Sequence, residues 1–168
     1  MRACIARVWV ALVIAVFSSS AHSENRPVDS AECKQITARL IEATNASFDR
    51  YSPMGSNVFL KSPDMVLSCT SHRLTGVTLV WDASGFPPNP WFVLLAKAGR
   101  AVTGVELKKL EDASRKCHRA ALKDKSELAD LEIPNAKIEC QAFTRDRGGV
   151  NIGIWMNDHE ARKGIEEP

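Results

Sequence analysis

The sequence predicts an α+β, two-layer domain: an antiparallel five-stranded sheet packed by helices, in the order α-β-β-β-α-α-β-β. Three observations carry this. Several segments alternate apolar and polar residues with period two, as half-buried strands do. Short links rich in turn residues join neighbours of this kind, and hairpins make a sheet antiparallel. Two segments show helical spacing and a third is apolar on nearly all sides, which requires a sheet face to cover it.

The first 23 residues precede that domain. Met1 to Arg7 carries two arginines and no acid, and Val8 to Phe17 is an unbroken apolar run. Small residues follow, with Ala21 and Ser23 at the −3 and −1 positions of a cut before Glu24; a cut after Ala21 also fits. This is the plan of a secretory signal peptide. Ten apolar residues span about 15 Å as a helix, roughly half a bilayer core. The expectation is therefore a periplasmic or secreted protein with no stable membrane insertion after cleavage. Residues 1–23 form the signal, 24–156 a single domain and 157–168 a polar tail.

Charge narrows the range of partners. The chain has 22 basic and 20 acidic side chains, and losing Arg2 and Arg7 leaves 20 of each. A formally neutral domain gives no reason to expect nucleic acid or an anionic membrane surface. An envelope protein or cell-surface component is the expected partner.

Four cysteines remain beyond the signal: Cys33, Cys69, Cys117 and Cys140. An even number in an exported chain reads as two disulfides. Zinc would want close pairs, and here the closest cysteines are 23 residues apart. Three pairings are open by count. Cys33 falls on an apolar helical stripe with Ile36 and Leu40, and Cys69 alternates with Met65 and Leu67. Cys117 shares a helical face with Leu107, Leu110 and Ser114, and Cys140 alternates with Ile138 and Ala142. All four point to a core, and Cys33–Cys69 with Cys117–Cys140 ties a helix to a strand twice.

The elements follow in order. Asp29 with Glu32 resembles a capping box and opens a helix to about Thr44. Residues 45–57 are turn-rich. Strands are expected at 56–61, 65–71 and 75–81, with His72-Arg73-Leu74 closing the second hairpin. The stretch WDASGFPPNPWF, residues 81–92, then holds three prolines, one glycine and four aromatics. Proline restricts itself and the residue before it, so Phe86-Pro87-Pro88 is extended. Asn89 suits a helix cap and Pro90 the first turn. From Trp91 to Val102 the residues are apolar almost all round, which places Trp91 and Phe92 in the core. Phe86, Pro87 and Pro88 are left as a candidate contact surface. Thr103 with Glu106 marks another capping box and a helix to about Lys125. Residues 126–135 read as a linking loop, and 136–144 and 150–156 as a hairpin of strands around Arg145-Asp146-Arg147-Gly148-Gly149. The element order loosely resembles that of type III secretion chaperones, which also set three strands and two strands around helices. No motif extends that resemblance, and it implies no activity.

No catalytic motif is present. There is no G-x-S-x-G, no phosphate-binding glycine loop, and His159-Glu160 lacks the second histidine of a zinc-peptidase helix. No cofactor or metal is implied. Arg73, Arg145 and Arg147 sit at two hairpin tips and are candidates to grip a carboxylate or phosphate if those tips meet. The expected function is a non-enzymatic binding or interaction domain, acting through a sheet face or the 82–90 loop. The alternative is a small exported enzyme with a site assembled from dispersed residues.

Overall fold

The structure is a computed structural model describing residues 27–71, 74–83, 86–144 and 148–157. The segment expected to be a signal, residues 1–23, the residues beyond Asn157, and Arg73, Arg145 and Arg147 lie outside the described residues. A single 3₁₀ turn, Pro27–Asp29, leads into α1 (Ala31–Thr44). Four strands follow: β1 (Ser47–Tyr51), β2 (Asn57–Lys61), β3 (Met65–Cys69) and β4 (Thr75–Trp81). Helices α2 (Asn89–Thr103) and α3 (Leu107–Ala121) come next, then β5 (Leu128–Ile133), β6 (Ala136–Phe143) and β7 (Gly149–Met156).

All seven strands form one sheet in the order β1-β2-β3-β4-β7-β6-β5, and every neighbour pair is antiparallel. Two meanders are thus joined along a central β4–β7 seam. The α+β class and the hairpins agree with the sequence. The strand count does not: seven replace five, and the order is α-β-β-β-β-α-α-β-β-β. The added strands, β1 and β5, are the two edges. Within β1 the register shifts between Phe48 and Arg50, a bulge in the segment read as turn-rich. The residues of β5, LADLEI, alternate cleanly but run into Pro134-Asn135. That pair proves to be a two-residue hairpin turn, with Asn135 at φ 64° and Ile133 opposite Ala136. The extra strands also remove the three-plus-two pattern on which the chaperone resemblance rested.

Helix ends differ in detail. Ser30, not Asp29, caps α1, its hydroxyl accepting from the Cys33 amide at 3.1 Å. Pro88 occupies the cap position of α2 and Asn89 is its first residue. Helix α3 stops at Ala121, because its buried stripe of Leu110, Ala113, Ser114, Cys117, His118 and Ala121 ends there.

The core lies between the helices and one face of the sheet. Val58, Leu67, Val77, Ile138, Ile152 and Ile154 from the strands meet Ile36, Leu40, Leu95 and Leu110 from the helices, all fully buried. The apolar helix α2 lies between α1 and α3 and rests on β4 and β7, which explains its lack of a polar face. Trp91 and Phe92 are buried, as the pattern requires. Both expected disulfides are present. Cys33–Cys69 ties α1 to β3, and Cys117–Cys140 ties α3 to β6. No helix among the described residues is long and apolar enough to cross a membrane.

Candidate binding face

All three helices lie on one side of the sheet, and no described element covers the other. Side chains alternate along a strand, so each strand that fills the core with one set of residues lays a second set on this open face. The registers arrange the second set as a grid. Across β4, β7 and β6, one row is Gly76–Trp155–Lys137. The next is Thr78–Gly153–Glu139, and the third is Val80–Asn151–Gln141. Beyond β6, the edge strand β5 adds Leu128, Asp130 and Glu132.

Two glycines shape the middle of this grid. The Trp155 indole lies flat over them. A Cβ on Gly76 would sit 2.3 Å from Trp155 Cε3, and one on Gly153 would sit 2.8 Å from Trp155 Nε1. Neither position can hold a larger residue without displacing the ring, which is the positional meaning of glycine inside a strand. The indole fills the space that side chains at Gly76 and Gly153 would take, and a depression opens beside it. It forms a trough of about 530 Å³ flanked by Thr78, Asn151, Gln141 and Glu139, with Leu128 and Asp130 toward the β5 edge.

Two polar atoms of the trough have no hydrogen-bond partner: Asn151 Oδ1 and Trp155 Nε1. An unpaired buried donor or acceptor costs about 1–3 kcal/mol, so each calls for a reason. On the far wall Lys137 donates to Glu139 at 2.8 Å. That hydrogen bond, with the neighbouring Asp130 and Glu132 carboxylates, holds the lysine pKa above its usual value. The wall carries two carboxylates, Asp130 and Glu139, against one lysine that is already paired, a poor setting for an anion. Farther along the face, the Arg50 guanidinium lies 4.4 Å above the Phe59 ring and pairs with Asp49.

The sequence-predicted contact residues lie elsewhere, on the helix side. Phe86 is exposed, as a contact residue would be, but its ring packs edge-on to His118 at 5.8 Å. Pro87 is buried, Pro88 is exposed and Trp81 is half-buried on the core side. The 86–88 segment therefore acts at least in part as a cover over α3. Beneath it His118 also meets Phe92 at 5.6 Å, and its Nε2 has no partner. Burial, then the charge of Arg119, lowers the His118 pKa. Ser114 lies one turn earlier with an unpartnered hydroxyl, so the two are not joined by the hydrogen bond that activates a serine nucleophile. Nearby, Arg115 reaches Glu111 and the Asn89 side chain, each at 3.0 Å, and stacks over Phe92 at 4.5 Å. It ties α3 to the start of α2.

Arg73, Arg145 and Arg147 lie outside the described residues. Gly76 at the start of β4 pairs with Trp155 near the end of β7, whereas Trp81 at the end of β4 pairs with Val150. The start of β4 and the start of β7 thus lie at opposite ends of this strand pair. Among the described residues, no group of three or more His, Cys, Asp or Glu side chains is placed to hold a metal ion.

The trough itself escaped the sequence reading, which followed only the apolar side of each strand. A usable signal existed in Gly76 and Gly153, two glycines inside strands, with Trp155 at an outward position. No protein-family model, no curated protein and no solved structure matches this chain.

Proposed function

We propose that this chain is an exported, disulfide-linked binding domain without catalytic activity, and that the open sheet face around Trp155 is its binding surface. One observation carries the reading. A tryptophan lies flat on two glycines beside a trough whose polar floor atoms lack partners. Such a site is concave, part apolar, and furnished with a few convergent polar groups, as ligand sites are. The two disulfides fit an oxidising compartment. Within the proposal the 86–88 segment is structural.

Two measurements test it. Mass spectrometry of the secreted material should find an N-terminus at Glu24 or His22 and no alkylatable thiol; an intact Met1 or four free thiols would overturn the export half. Material retained from envelope extracts should then be compared for wild type, Trp155→Ala and Phe86→Ala. Retention should be lost with Trp155→Ala and kept with Phe86→Ala. The reverse pattern would move the surface to the loop.

A further inference from the structure

Resting on that reading of the open face, we infer that the ligand of the trough is a saccharide, one of whose pyranose rings stacks on the Trp155 indole. The indole is fixed parallel to the sheet by Gly76 and Gly153, so one of its faces is turned away from the strands. An aromatic face is electron-rich, and one side of a pyranose ring presents a sheet of weakly positive C–H bonds that matches it. Around the ring, sugar hydroxyls both donate and accept. The walls offer the complementary mixture: a hydroxyl at Thr78, amides at Asn151 and Gln141, and carboxylates at Glu139 and Asp130. A single hydroxyl group can accept from Trp155 Nε1 and another donate to Asn151 Oδ1, the two atoms without partners. Both atoms are shielded by their neighbours, so these two bonds form only once the side chains shift to admit the sugar. Trp155 Nε1 lies over Gly153, two residues from Asn151 on the same strand, and two residues of strand cover about 7 Å, a span comparable with one sugar ring.

Two other ligand classes fit less well. A phosphate or other anion meets the acidic wall of Asp130 and Glu139, whose one lysine is already paired. A peptide added as a strand would pair with β1 or β5 at the sheet edge, whereas the trough lies over β4, β7 and β6 in the interior of the sheet.

The test is an NMR titration of the purified protein with chitohexaose, cellohexaose and maltohexaose, following the Trp155 indole N–H signal and, in every variant, the backbone amide signals of Thr78, Gln141, Asn151 and Gly153. The expected result is a saturable shift with at least one of them. Trp155→Ala should weaken that binding at least about tenfold, a loss of about 1.4 kcal/mol, and Phe86→Ala should leave it unchanged. Gln141→Leu, which leaves the glycine–indole stack alone, should also weaken it and covers the case in which Trp155→Ala fails to fold. No saturable shift with any of the three at about 10 mM, well above a weak dissociation constant of about 1 mM, overturns the saccharide. A component from envelope extracts that needs Trp155, survives glycosidase treatment and is destroyed by protease would overturn the saccharide yet leave the open face as the binding surface. Failure of both experiments overturns both readings.

Discussion

The two faces of β7 set opposite demands on one strand. Inward, Val150, Ile152 and Ile154 are fully buried against helices, and their identity is set by volume. Outward, Asn151, Gly153 and Trp155 face a side that no described element covers, and here a glycine and an indole determine each other through close approach. Packing explains the first set completely. It leaves two polar atoms of the second without partners, which is where the proposed binding surface begins.

The contrast can be broken at several points. The largest effect should come from the covered face: Ile154→Ala should cost about 2–5 kcal/mol through lost transfer energy and a cavity, read by chemical denaturation, with the open face unaltered. Removing one disulfide by paired Cys→Ala substitution should cost about 3–4 kcal/mol in the chain-entropy picture, from closed loops of 36 residues for Cys33–Cys69 and 23 for Cys117–Cys140. Gly76→Ala should cost about 1–3 kcal/mol by overpacking, and would show itself as a change in Trp155 fluorescence because the ring must leave the sheet. If that signal stays fixed, the two glycines do not position the indole.

A smaller effect is pH-dependent. His118 has its pKa lowered by burial, while the unfolded chain titrates near 6.5. Just below that value the unfolded state takes up a proton that the folded state refuses. Stability is therefore complete above about 6.5 and falls as pH drops toward the depressed folded value. His118→Gln should flatten this part of the profile. The smallest effect belongs to Phe86→Ala, within about 1 kcal/mol, since the ring is mostly exposed.

Core-facing strands and helices were readable in the sequence because their burial imposes a period. Thr75–Trp81 was recovered to the residue, and the four cysteines could be paired from the face each occupied. The edges were harder. Strand β1, SFDRY, is polar, bulged and surrounded by turn residues. In β5 the outward Asp130 and Glu132 protect an edge from pairing and make the segment look like a solvated loop. The open face was harder still, because a binding surface has no period of its own. Trp155 and Gly76 are 79 positions apart in the chain, and only the β4–β7 ladder makes them neighbours.

That ladder has one more consequence. Each sulfur bridge is confined to its own half of the polypeptide, 33–69 before α2 and 117–140 after it, and neither crosses the central seam. A single backbone cut anywhere between Cys69 and Cys117 would leave two fragments, each internally stapled, that separate in denaturant with no reductant added. Oxidation of either half is likewise independent of the other, so the chain can acquire both native bridges before its two meanders have met.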